Sequence, residues 1–267
     1  MHPIEHLRYV ARARGADPAA LVRETAQALS AMRFDPSGLV VACRRILERH
    51  PECGPLWWLC ARLLTDPEPF ELARRIATEI DRDPTAAELA AALPDGATVV
   101  TIGWPDVAGQ ALTRRGDVTV LVVDSRHDGS GFIQRLERCE VPCEAVQPEA
   151  IARAVGVADV VVVETVAACP GVAVAPIGSA VLAAVGSACS VPVWLVAGLG
   201  RRLPAAFVDV IADRVSCDAQ PWELDHDVFD PAVATHLVCG DGVLDMSAAA
   251  LRADCAQTSE LLRSSPI

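Results

Sequence analysis

Four Val-rich runs constrain this chain more than any other feature: residues 97–103 (ATVVTIG), 118–124 (VTVLVVD), 159–164 (DVVVVE) and 192–197 (PVWLVA). A strand with one face in water alternates apolar and polar residues. An unbroken apolar run therefore reads as a strand buried on both faces. Shorter strand candidates lie at 143–147 and 235–239, and amphipathic segments at 106–115, 131–139, 148–156 and 178–189 fall between the strands. Strands alternating with helices imply an α/β fold: a Rossmann-like, mostly parallel sheet with helices on both faces. Ligands in such sheets sit beyond the carboxyl ends of the strands. That directs attention to Gly103-Trp104, Asp124-Ser125-Arg126, Glu164-Thr165 and the stretch from Ala197-Gly198 onward.

The pattern changes at Pro94-Asp95-Gly96. Upstream, apolar residues recur at helical spacing, as in Leu39-Val40-Cys43-Ile46-Leu47 and Leu72-Ile76-Ile80. Asp17, Asp66 and Asp83 each precede a proline, an arrangement that starts helices. The expected organisation is a bundle of five or six short helices over residues 1–93, followed by a ligand-binding α/β domain over 94–267.

Composition then removes function classes. All 23 basic residues are Arg, and the 267-residue chain contains neither Lys nor Asn. No Schiff-base lysine, P-loop lysine or Cys-His-Asn triad is available. A net charge of −12 without a basic run makes nucleic acid an unexpected partner. The ten Cys include no CxxC pair, and Cys43, Cys60 and Cys189 fall in apolar helical stretches, where a thiol behaves as a small hydrophobe. No metal and no cofactor is expected. With neither a signal peptide nor a membrane span in the sequence, the expected location is cytoplasmic.

Three strand-end clusters could carry chemistry. In Asp124-Ser125-Arg126-His127-Asp128-Gly129-Ser130-Gly131, Arg126 could fork onto a phosphate and Gly131 let a helix N-terminus approach it. Equally, Asp124 could cap the turn and pair with Arg126. In Pro176-Ile177-Gly178-Ser179, free N–H groups at a helix start and a hydroxyl could cradle an anion, or Ser179 could simply cap the helix. Glu164, ending a run of four Val, is either a general base of raised pKa or a solvated strand end. After the fourth run, Gly198-Leu199-Gly200-Arg201-Arg202 lacks the third Gly of a dinucleotide fingerprint, but its arginines, Arg202 in particular, suit a phosphate. Asp225-His226-Asp227 could ligate a metal, but adjacent residues point in different directions, and the segment reads as a solvated loop.

In order along residues 50–244, these segments resemble the family of translation initiation factor 2B alpha, beta and delta subunits, which includes methylthioribose-1-phosphate and ribose-1,5-bisphosphate isomerases. His50-Pro51 through Leu59 is similar to the family's RPTAVNLFWAL, Val123-Asp124-Ser125-Arg126 with Gly131 to ETRP…G, and Asp159–Thr165 to DLVIVGAD. Gly171 falls at the glycine of that strand's following turn. Pro176–Ser179 matches KIGT, Val191–Val196 resembles VPVYV, and Val238–Val243 resembles the closing VTEKGV. The resemblance implies a helical domain before a Rossmann-like sheet, and a phosphorylated small molecule as ligand.

The departures matter as much. Where the isomerases carry a Cys and an Asp as acid/base pair, this chain holds Gly103 and Thr165, and the family's Asn-Lys before IGT is Ala175-Pro176. Glu164 adjoins the missing Asp, but neighbouring strand residues face opposite sides. Candidates for the phosphate grip remain: Arg126, Gly131, Gly103, Gly178, Ser179 and Arg202. Candidates for chemistry reduce to Glu164 and Thr165. The resulting expectation is a factor-2B-like protein that binds a sugar phosphate or nucleotide without the isomerase chemistry, as a homodimer through its α/β domain. The alternatives are a diverged aldose–ketose isomerase and a non-catalytic assembly subunit.

Overall fold

A computed structural model describes residues 17–31, 36–126, 129–217 and 220–263. The first described elements are five helices: α1 (Pro18–Ser30), α2 (Pro36–Arg49), α3 (Gly54–Thr65), α4 (Pro69–Asp81) and α5 (Thr85–Ala92). Proline stands in the first turn of α1, α3 and α4, where its missing N–H costs nothing. Asp17 caps α1, accepting from the Ala19 N–H at 3.0 Å.

The Val-rich runs form β1 (Thr98–Ile102), β2 (Thr119–Val123), β4 (Val160–Glu164) and β7 (Val193–Val196), joined by β3 (Cys143–Val146), β9 (His236–Cys239) and β10 (Gly242–Asp245). The seven strands lie in the order β10-β9-β7-β4-β1-β2-β3, every pair parallel except β10 with β9. Crossover helices are α6 (Val107–Leu112), α7 (Gly129–Arg138), α8 (Ile151–Val155) and α9 (Ser179–Ala188).

Both faces are covered. Val120, Val122, Val160 and Val162 pack with Leu89 of α5, Leu112 of α6 and Phe132 of α7. Leu121, Val123, Val161 and Val163 pack with Val155 of α8 and Leu182 of α9 on the other side. Full burial of one such side chain contributes about 1.5–3 kcal/mol, so a run without alternation is stable only between two helical layers. Helix α6 stops short of the expected residue 115, because Arg115 turns back. Its Nη1 donates to the carbonyls of Ala90 and Leu93 at 2.6 and 2.8 Å, satisfying the end of α5.

A second, three-stranded antiparallel sheet was not anticipated from the sequence. It comprises β5 (Ala167–Cys169), β6 (Val172–Pro176) and β8 (His226–Phe229), in the order β5-β6-β8. Gly171, at φ +90°, turns β5 into β6, as the resemblance implied. The reading of residues 225–227 as a solvated loop is corrected: His226 and Asp227 begin β8, and the Asp227 carboxylate accepts from the Ala180 N–H at 2.9 Å. This sheet packs with α10 (Ala205–Ser216) against α1–α4, where Trp57 and Phe207 meet at a ring separation of 5.2 Å. No described helix is long and apolar enough to cross a membrane.

Candidate functional site

The strand order reverses between β1 and β4, so the crevice of the sheet opens where Gly103–Asp106 and Glu164–Thr165 leave it. Glu164 is buried there and fully engaged. Its Oε1 lies 2.8 Å from Arg201 Nη1, and its Oε2 accepts from the Ala108 N–H at 2.8 Å. Arg201, itself buried, also donates to the Thr165 carbonyl. A buried carboxylate is tolerated only when paired and hydrogen-bonded, and this one is both. Thr165 is buried too, and its hydroxyl donates to the Val196 carbonyl at 3.1 Å.

Asp106, four residues beyond the end of β1, has a different environment. Its Oδ2 is 3.5 Å from Arg201 Nη2, and its Oδ1 accepts from Gln110 Nε2 at 3.3 Å. Burial, with the Glu164 charge adding to it, raises the Asp106 carboxyl to about 6; Arg201 offsets only part of this. Asp106 faces a cavity of about 200 Å³ shared with Asp17, Arg23, Gln110 and Arg201.

A larger cavity, about 750 Å³, lies beyond the carboxyl ends of β7 and β9 and is lined by Arg74, Arg75, Arg82 and Arg202 together with Glu79, Asp83, Asp241 and Asp254. Arg202 is held by Asp254 at 2.8 Å and Asp241 at 3.3 Å. Arg82 is exposed and forms no ion pair with any described residue. Between the cavities stands Asp83. Its Oδ1 accepts from the Thr85 hydroxyl at 2.6 Å and its Oδ2 from the Leu199 N–H at 2.7 Å, tying the start of α5 to the loop after β7. Asp83 and Leu199 line both cavities.

The other residues singled out in the sequence meet at the ends of β1 and β2. Gly103, at φ +62°, donates its N–H to the Val123 carbonyl at 3.0 Å. Gly178, at φ +91°, lies so close to Ile102 that a Cβ would stand 2.6 Å from its Cδ1. Ser125 donates to the Ile177 carbonyl at 3.0 Å, joining the two loops. Gly131 lies under the half-exposed Trp104 ring, where a Cβ would come within 2.4 Å of Cζ3. Arg126 donates to the carbonyls of Trp222 and Leu224 at 3.0 Å each and faces Asp225 at 3.6 Å. Ser179 is buried and its hydroxyl has no hydrogen-bond partner among the described residues, while Asp227 occupies the start of α9. His127 and Asp128 lie outside the described residues.

Gly103, Arg126, Gly131, Gly178 and Ser179 thus gather at one end of the sheet, Glu164 and Thr165 at its middle, and Arg202 toward the other end. Sequence reading missed Asp106, Arg201 as an interior cation, Asp83 as a strut, and Arg82. Asp106 was within reach, three residues beyond Gly103, the last residue of the first Val-rich run. Nothing in the spacing says which of two adjacent arginines turns inward.

No protein-family model matches the chain, and no curated protein matches it. Solved structures do. The translation initiation factor eIF-2B of Pyrococcus horikoshii superposes with a TM-score of 0.73 at 16% identity, covering 91% of this chain and 96% of that one. A chain of the tetrameric eIF2B-beta2-delta2 complex from C. thermophilum gives 0.72 at 14%, covering 93% and 91%. The 5-methylthioribose 1-phosphate isomerase of P. horikoshii gives 0.65 at 15%, covering 91% and 84%. The chain therefore has the fold shared by these initiation-factor subunits and this isomerase, the fold its sequence resemblance implied.

Proposed function

We propose that this chain binds a phosphorylated small molecule, a sugar phosphate or a nucleotide, and lacks the acid/base pair of the isomerases it resembles. The observation that carries this reading is the arginine-lined cavity beyond β7 and β9. Its 750 Å³ suits a small metabolite. The carboxylates in its walls are already engaged: Glu79 with Arg62, Asp241 and Asp254 with Arg202, and Asp83 with Thr85 and Leu199. Arg82 forms no ion pair with any described residue, and a guanidinium matches phosphate geometry. On the side of chemistry, Gly103 offers no side chain, Thr165 is spent on a carbonyl and Glu164 on Arg201.

The second place for a phosphate is the cluster of Arg126, Gly131, Gly103, Gly178 and Ser179. There a ligand would displace contacts that Asp225 and Asp227 already make. Thermal-shift titration with inorganic phosphate, ribose 5-phosphate and AMP distinguishes the two. Arg82→Ala should abolish a saturable shift that Arg126→Ala retains, by ligand linkage. The reverse pattern moves the site to the β1–β2 end. No shift with any of the three ends the phosphate reading. The same reading has two copies pairing through the α/β domain in the cytoplasm; light scattering on the purified chain tests the pairing.

A further inference from the structure

We infer that the helical layer carries a binding site of its own, for a ligand that joins an amine to an apolar body. A cavity of about 830 Å³ opens between the start of α2, the end of α3, the loop into α4 and the C-terminal segment, which includes a short helix, α11 (Ser259–Leu262). It shares no lining residue with the two arginine-bearing cavities. Helix α4 starts at Pro69 beside this cavity and ends at Asp81 beside the small one, about 18 Å away at 1.5 Å per residue.

The lining sets the ligand's chemistry. Its apolar part comes from Leu39 of α2, Leu63 and Leu64 of α3, and Phe70 of α4. Its charged part is acidic throughout, with Asp66, Glu68, Glu71 and Glu260 and no basic residue among the described ones. Arginine lines both other cavities, so the sign is reversed here, and a cleft of one sign concentrates counterions. Glu71 pairs with Arg74 at 2.7 Å, and Asp66 lies 4.0 Å from Arg75. Glu68 and Glu260 form no ion pair with any described residue.

Thr258 supplies a separate observation. It lines the cavity, is 6% exposed, and its hydroxyl has no hydrogen-bond partner among the described residues. Although it stands at the N-cap of α11, its side chain does not cap that helix, as a threonine there ordinarily does. A buried hydroxyl without a partner is costly, and a donor on a bound ligand would relieve it. The segment around it is anchored: Arg44 Nε donates to the Glu260 carbonyl at 2.7 Å, and Leu261 is buried in the helical core. An ammonium has only donors, and carboxylates and a hydroxyl oxygen accept them. An apolar body displaces water from the leucines and Phe70, whereas an anion would meet four carboxylates.

The test is calorimetric titration of the full chain with tryptamine, hexylamine and indole-3-acetate; the first and last share a ring and carry opposite charges. The amines should bind saturably and indole-3-acetate should not. Glu68→Gln/Glu260→Gln should weaken tryptamine about threefold or more, and added salt should weaken it more in wild type than in that variant. Thr258→Val should weaken tryptamine without lowering the melting temperature, because it removes an unmatched hydroxyl and no internal bond. Arg82→Ala, which probes the phosphate reading, should leave tryptamine affinity unchanged, so either reading can fail alone. Absence of binding by both amines overturns the inference, as does equal binding of tryptamine and indole-3-acetate. Tryptamine affinity unchanged in the Glu68→Gln/Glu260→Gln and Thr258→Val chains, or lost in Arg82→Ala, places the amine elsewhere and overturns it too.

Discussion

The two ends of the sheet's carboxyl edge differ in what their polar groups have left to offer. At β1–β2, where Gly103, Arg126, Gly131, Gly178 and Ser179 gather, most polar groups are engaged within the chain, the buried Ser179 hydroxyl excepted: Arg126 binds carbonyls, Ser125 binds Ile177, and Asp227 sits at the start of α9. At β4–β7–β9, two cavities open beside Asp106 and Arg82, groups with capacity unspent. Residue types common in phosphate sites are also the types that close tight turns. Unused hydrogen-bonding capacity facing a cavity is the better marker of a ligand.

The strongest way to break this contrast is to unpair its buried centre. Arg201→Ala leaves Glu164 buried without its cation and should cost about 3–5 kcal/mol in urea unfolding. A loss below about 1 kcal/mol would mean that Glu164 is not the structural group described here. Next comes pH. The Asp106 carboxyl lies near 6 in the fold, above its ordinary value near 4, so its protonated form is the one the fold favours. Its contribution is complete below pH 4 and is lost as pH rises through about 6, amounting to on the order of 1–3 kcal/mol. Asp106→Asn should flatten that slope; an unchanged slope assigns it to other groups.

Gly131→Ala sharpens the comparison from the other end. Its Cβ would collide with Trp104, so a cost of about 1–3 kcal/mol is expected, relieved in part by adding Trp104→Ala. Strict additivity in that double-mutant cycle would separate the two residues. The smallest effect belongs to Arg126→Ala. Its pairing is half exposed, and melting should show a loss of about 1 kcal/mol or less. A larger loss would make the β1–β2 end more than a closed turn.

Much of the fold was legible because burial on two faces leaves a one-dimensional trace: the four Val-rich runs became β1, β2, β4 and β7 within a residue or two of their expected limits. The small sheet left no such trace, since β5 and β6 are short, Ala-rich and joined by a Pro-Gly turn. In the site, Arg201 and Arg202 are sequence neighbours with the same composition around them. One turns inward to Glu164 and Asp106; the other turns to Asp254 and Asp241.

The sequence by itself determined that this chain would build a mostly parallel sheet between helices, with Gly-, Asp- and Arg-bearing loops at its carboxyl edge. It also determined that arginine would be its only permanent cation. Tertiary structure decided which carboxylates are spent and which remain. That depends on partners such as Asp83 and Leu199, 116 positions apart, which meet only when the helices close over the sheet. Periodicity is a local property of the chain. A hydrogen bond left unmade is a property of the folded whole.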